Sequence, residues 1–158
     1  MVMQVVEFHN ALDDLLTIFS NKKLLHYTDL DYCESLDDSS LQNWVGDERR
    51  ISLAGYEDDT FVGFASAYLV PKHVTASVTI VVLEEFQRQG FAKEMLQTLV
   101  SRLFLQGIVR IEAQICTENT ISVRLFESLG FEREGILRKN FLIDGILFDS
   151  YMYAKFAH

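Results

Sequence analysis

The spacing of hydrophobic positions changes near residue 50 and again near residue 90. Before that first change the pattern is faint. Residues 3–8 suit a strand, residues 11–19 carry apolar side chains at helical spacing, and residues 39–45 suit a second short helix. Between the two helices, Asp29, Asp31, Glu34, Asp37 and Asp38 form an acidic stretch that reads as loop. From residue 51 the pattern is that of strands. Residues 51–56, 61–70 and 74–83 are β-rich runs separated by turn signals at Glu57-Asp58-Asp59 and Pro71-Lys72. They predict an antiparallel meander whose third strand places Val74, Ala76, Val78, Ile80 and Val82 on one face.

Residues 90–106 switch to helical spacing, with Phe91, Met95, Leu96, Leu99, Val100, Leu103 and Phe104 in one stripe and Gly107 suited to the position past the helix end. Residues 109–116 return to a strand, and residues 119–128 form a short helix that stops near Gly130. Residues 131–138 and 146–156 are strands joined across Asp144-Gly145, a strong turn dipeptide. The strand–helix–strand passage in the middle implies a parallel pair inside an otherwise antiparallel sheet. The expected fold class is therefore α/β, in the α+β sense of a mixed sheet flanked by helices. It occupies one domain over residues 1–158.

Composition is that of a globular domain, with 49% hydrophobic and 23% charged residues. The net charge of −9 sits entirely in residues 1–70; residues 71–158 hold 10 acidic and 10 basic side chains. Without a cluster of cations a nucleic-acid partner is disfavoured. The acidic half suits a cationic one. No signal peptide and no membrane-spanning run is visible. Two cysteines, Cys33 and Cys116, make no disulfide framework, and a cytoplasmic location is expected. His9, His26, His73 and His158 are scattered, so no metal site is expected.

Chemistry concentrates in Val81-Val82-Leu83-Glu84-Glu85-Phe86-Gln87-Arg88-Gln89-Gly90-Phe91-Ala92-Lys93. A strand ends, a turn follows, and a long helix begins. The first amides of a helix lack partners and carry partial positive charge. Gly90 keeps no side chain between a ligand and the backbone, and Arg88 and Lys93 add cations. This is a cradle for a pyrophosphate. It has neither the Gly-Lys-Ser/Thr of a P-loop nor the three glycines of a dinucleotide fingerprint.

Gln87-Arg88-Gln89-Gly90-Phe91-Ala92 resembles the Gln/Arg-x-x-Gly-x-Gly/Ala signature of the GNAT superfamily of acyl-CoA N-acyltransferases. Downstream, Arg110-Ile111-Glu112-Ala113, Asn119, Ser122, Arg124-Leu125, Leu129-Gly130-Phe131 and Glu134-Gly135-Ile136-Leu137-Arg138 resemble the branch that holds ribosomal-protein N-terminal acetyltransferases. The resemblance covers residues 50–156. It implies a mostly antiparallel sheet splayed at one parallel pair. It implies acetyl-CoA as co-substrate, its pantetheine paired with the backbone of Ile80, Val81 and Val82 as an added strand would be. The cofactor-binding turn would be Gln87, Arg88, Gln89, Gly90, Phe91, Ala92 and Lys93, with the pyrophosphate on the amides from Gln89 to Lys93, and Asn119 would touch the pantetheine.

It also implies direct attack by an amine in a ternary complex. A backbone N–H near Val82 is positioned for the developing oxyanion. Glu112 is the family's candidate base. Many relatives place a tyrosine seven residues after the asparagine as the acid; Phe126 stands there, so the acid role passes to Ser122. Each has a plainer reading too. Glu112 suits an ion pair with Arg110 or Arg138, Ser122 a first helical turn, and Asn119 an N-cap. Expected acceptors are the amine of a small cationic metabolite or a protein N-terminus, with a homodimer possible. A non-catalytic acetyl-CoA sensor is the rival reading.

Overall fold

The computed structural model describes residues 3–8, 12–28, 38–70 and 74–158. His9, Cys33, His73, the Pro71-Lys72 turn and Asp29, Asp31, Glu34 and Asp37 lie outside the described residues. In chain order the elements are β1 (Gln4–Glu7), α1 (Leu12–Phe19), α2 (Asp38–Val45), β2 (Arg50–Glu57), β3 (Thr60–Val70), β4 (Thr75–Val82), α3 (Phe91–Leu105), β5 (Arg110–Cys116), α4 (Thr120–Ser128), β6 (Glu132–Ile143) and β7 (Ile146–Phe156). The strands form one sheet in the order β1-β2-β3-β4-β5-β7-β6. Every neighbouring pair is antiparallel except β4 with β5. The expected mixed sheet and its meander are both present.

Strand alternation sends side chains to two cores. On one face Leu53, Val62, Ala65, Val78, Val82 and Ile111 meet α3 through Met95, Leu96, Leu99 and Leu103. On the other, Ala54, Phe64 and Val81 meet α1 through Leu15, Ile18 and Phe19. Trp44 of α2 packs edge-on to Phe19 and Phe64, at ring separations of 5.5 and 5.7 Å. The sheet is thus sandwiched between two helical layers.

Several boundaries differ from the sequence reading. Val74 precedes β4 and is exposed, because the chain is still turning there. Asp38 opens α2 rather than belonging to the loop. Residues Glu84–Phe86 form a single 3₁₀ turn, which has no periodic signature at that length. Strand β6 extends to Ile143, past the expected end at residue 138. Register shifts at Arg133/Gly135 and Leu137/Phe141 interrupt its alternation, so a period-2 reading loses it halfway.

Helix α1 is tied to the sheet by Tyr56, whose hydroxyl donates to Asp14 Oδ2 at 2.8 Å. Burial, then this bond and the neighbouring charge, push the phenol up to about 12. The folded state therefore holds the proton more tightly than the unfolded chain, where tyrosine titrates near ~10. The resulting stability is fully present below pH ~10 and drains away as pH rises through about 12. Tyr56→Phe is expected to remove that part of the alkaline loss in denaturant melts taken between these two values. An unchanged alkaline profile in the variant contradicts it.

Candidate active site

The parallel pairing of β4 with β5 is short. It includes Thr75↔Arg110, Ala76↔Ile111 and Ser77↔Glu112, and then the strands part. Leu83 N donates to Val62 O at 2.9 Å, in register with β3, so the backbone of Val81 also turns toward β3. By alternation the backbone groups of Val78, Ile80 and Val82 turn toward the gap. Val82 O accepts from Gln87 Nε2 at 3.0 Å. Among the described residues the rest of that edge has no strand beside it, as an extended ligand requires.

The edge runs into the cradle. Gln87 is extended, Arg88 is left-handed at φ 62°, and Gly90 is left-handed at φ 89°. The first i→i−4 bond of α3 is Glu94 N to Gly90 O at 3.1 Å, which leaves the amides of Phe91, Ala92 and Lys93 as open donors. An ideal Cβ on Gly90 would meet no protein atom within 4 Å. Ile80, Val81, Val82, Gln87, Arg88, Gly90, Phe91, Ala92, Lys93, Asn119 and Ser122 all line one cavity of about 440 Å³. Ligand sites are commonly roughly 300–1,000 Å³. The structure thus brings the expected cofactor residues to one wall, except Gln89. The Gln89 side chain turns back to donate to Glu85 O at 3.0 Å.

Helix α4 closes the other side. Asn119 Oδ1 accepts from Ser122 N at 3.3 Å, which caps the helix and leaves the Nδ2 donors for a ligand. Asn119 and Ser122 also line a second, smaller cavity of about 50 Å³, wedged where β4 and β5 diverge. Val78, Ala113, Ile115 and the buried Phe126 wall this wedge from the α3 side, and Thr79 and Gln114 from the α1 side. It therefore passes through the plane of the sheet. Phe126 is held by Phe131, ring to ring at 4.9 Å.

Glu112 is not in the wall of either cavity. Its carboxylate accepts from Arg110 Nε at 3.0 Å, and Arg110 also forks onto Glu134 at 3.0 and 2.6 Å. That guanidinium holds the Glu134 carboxyl below the usual carboxylate range. Glu112 does share the α1-side face with Gln114, two residues along β5. Asn140 Nδ2 donates to Gln114 Oε1 at 2.9 Å and to the buried Ser150 at 2.8 Å.

Sequence reasoning missed Lys23, Leu24, Tyr27 and Thr28, which form a further wall of the large cavity. Lys23 pairs with Glu84 across it at 2.5 Å. No motif marks these residues; they arrive through the packing of α1. The wedge residues Gln114 and Phe126 were readable as strand and helix positions, but not as neighbours.

The splayed parallel pair and the turn that leads from it into α3 are what the GNAT resemblance implies. A model of the acetyltransferase (GNAT) family matches residues 12–131. The chain belongs to the GNAT family. It is 30% identical over 151 residues to the uncharacterized N-acetyltransferase YoaA of Bacillus subtilis, covering 89% of this chain and 84% of that one. It is 32% identical over 94 residues to the ribosomal protein bS18-alanine N-acetyltransferase of Salmonella typhimurium, covering 60% and 62%. Among solved structures, spermidine N-acetyltransferase from Vibrio cholerae in complex with CoA and spermine superposes at TM-score 0.89 with 21% identity, over 98% of this chain and 95% of that one. Ribosomal-protein-alanine N-acetyltransferase from Brucella melitensis superposes at 0.85 with 21% identity, over 98% and 99%. The GNAT chain described here is accordingly an acyl-CoA-dependent N-acetyltransferase.

Proposed function

We propose that this GNAT enzyme moves an acetyl group from acetyl-CoA to the primary amine of a small cationic metabolite. The observation that carries the donor half is the continuous wall from the edge of Ile80 and Val82, which no described strand covers, to the open amides of Phe91, Ala92 and Lys93. Strand edge suits the amides of pantetheine, and a helix N-terminus flanked by Arg88, Lys93 and Lys23 suits pyrophosphate. These residues fit the co-substrate. When bound, acetyl-CoA supplies an activated thioester; the chain's own residues supply orientation and proton transfer.

Ser122 is the proposed proton donor to the departing thiolate, because it lines both cavities at their junction. Glu112 is the proposed base. It works through water along the α1-side face past Gln114, since its carboxylate lies outside the wedge. The backbone N–H of Ile80 or Val82 is the proposed oxyanion donor. The cationic acceptor is supported by the net charge of residues 1–70, which is −9 even though that half places Lys23 in the cavity wall. A protein N-terminus is the second reading. The match to bS18-alanine N-acetyltransferases favours it.

Thiol release is the test, with acetyl-CoA and a panel of spermidine, an aminoglycoside, free amino acids and a basic peptide beginning with alanine. Spermidine or the aminoglycoside should be turned over, with the peptide much slower. The reverse order selects the second reading. Ser122→Ala and Glu112→Gln should each lower kcat by on the order of 100-fold while leaving the dissociation constant of CoA unchanged. Binding of acetyl-CoA with no turnover of any amine, and no effect of either variant, sinks the enzymatic reading in favour of a sensor.

A further inference from the structure

We infer that Gln114 makes this enzyme select amines with an N–C–C–O skeleton, by donating a hydrogen bond to a hydroxyl or carbonyl oxygen on the carbon next to the one that bears the nitrogen. The inference deepens the proposed amine acetylation and rests on it. Strand β5 is interior, between β4 and β7, yet the Gln114 side chain is exposed while Ala113 and Ile115 beside it are buried on the other face. Gln114 lines the small cavity with Tyr27, Thr28, Asn119 and Ser122, which also line the large one. It therefore borders the place where the proposed proton donor Ser122 meets the thioester. Glu112, two residues earlier on the same face, lines neither cavity.

The bonds Gln114 already makes decide which end of its amide is offered. Its Oε1 accepts from Asn140 Nδ2 at 2.9 Å, and the same Nδ2 donates at 2.8 Å to Ser150 Oγ, which is fully buried. Asn140 thus commits one proton to a fixed anchor and the other to Gln114, and the Gln114 carbonyl is held toward β6. The Gln114 Nε2 protons have no partner among the described residues. An amide nitrogen of this kind donates and does not accept. It cannot receive a proton from a second ammonium, but it can donate to an oxygen. Among the described residues no charged side chain lines the small cavity, so nothing else there holds a second ammonium. In an N–C–C–O skeleton the oxygen lies close to the nitrogen. Gln114 can then hold the oxygen while the nitrogen reaches the thioester. The class selected is vicinal amino alcohols or α-amino carbonyl compounds; a plain polyamine lacks the oxygen.

The test measures kcat/KM with acetyl-CoA for pairs of amines with and without the oxygen. Diaminopropanol against diaminopropane, both with terminal amines, is the hydroxyl arm. Alaninamide against sec-butylamine is the carbonyl arm, and the aminoglycoside against spermidine is a third comparison. The wild type should favour the oxygen-bearing member by about 10-fold or more, and the arm with the larger ratio tells hydroxyl from carbonyl. Gln114→Leu should lower that ratio by about 10-fold while calorimetry with CoA alone shows the same affinity. Dividing the wild-type ratio by the variant's cancels the different basicity of the paired amines. Gln114→Glu offers acceptors in place of donors and should turn the preference toward diaminopropane. Asn140→Asp leaves Gln114 intact, but the introduced carboxylate draws Nε2 away from the cavity, so the ratio should fall again. A purely structural role would slow both members of a pair alike. Equal slowing in these variants, or a wild type that acetylates oxygen-free amines as well as their partners, overturns the inference and leaves the N-acetyltransferase standing. Acetylation of no amine of either kind overturns the proposed function and this inference with it.

Discussion

Gly90→Val is expected to abolish measurable CoA binding, raising the dissociation constant by more than about 100-fold. Two facts at this position make the effect a loss of ligand rather than of fold. The backbone is left-handed at φ 89°, so a valine there is strained. That strain is on the order of 1–2 kcal/mol. In a chain of this size it lowers the melting temperature by about 2–4 °C for each kcal/mol. No protein atom lies within 4 Å of the new Cβ, so nothing in the core is displaced. The branched side chain projects instead into the cavity wall formed by Gly90, Phe91, Ala92 and Lys93, where a phosphate must approach the backbone. Gly107 is a matched control. It has the same φ of 89° and the same empty surroundings, past the far end of the same helix. Gly107→Val should show similar thermal loss and keep wild-type CoA affinity. Near-wild-type binding by Gly90→Val in titration calorimetry rules out the cradle as placed.

The second large effect is on stability. Gly63→Ala is expected to cost about 3 kcal/mol or more, at the upper end of overpacking penalties. Gly63 pairs with Val82 across β3 and β4. A Cβ there would stand 2.2 Å from Val81 O and 2.9 Å from Val82 Cα. Both are backbone atoms, which cannot rotate away as a flexible side chain would. The strands must separate at the very residues whose far edge forms the cleft. A lower melting temperature and weaker CoA binding should therefore appear together, with the binding defect persisting well below the melting transition. A variant as stable as the wild type contradicts the close approach.

Much of the fold was legible because its signals are local. Helix α3 shows an unbroken apolar stripe from Phe91 to Leu103, and every one of those positions is buried in the structure. The meander shows three β-rich runs, and its pairings follow from chain order. The cradle was readable for the same reason: Arg88, Gly90 and the first amides of α3 are neighbours in sequence as well as in space. Glu112 shows where this stops. Its residue type and strand are legible, but its pairing with Arg110 and its place outside the walls of both cavities are set by tertiary register. Lys23 shows the converse. It belongs to the acidic half, yet tertiary packing brings it to the cavity that holds Arg88 and Lys93. The segregation of charge along the chain is therefore not a segregation of walls.

By itself, the sequence determined the element order, the mixed sheet, the family signature and the turn from Gln87 to Gly90 that opens α3. All of these depend on residues within one or two turns of each other, where side-chain period and backbone propensity act directly. Only the tertiary structure decided that β4 and β5 part after Ser77 and Glu112. Only it put Phe126 and Gln114 at the wedge, and Lys23 and Tyr27 across from the cradle. These are distances between segments far apart in the chain. They are set by how the two cores pack against a twisted sheet, and no local pattern encodes them.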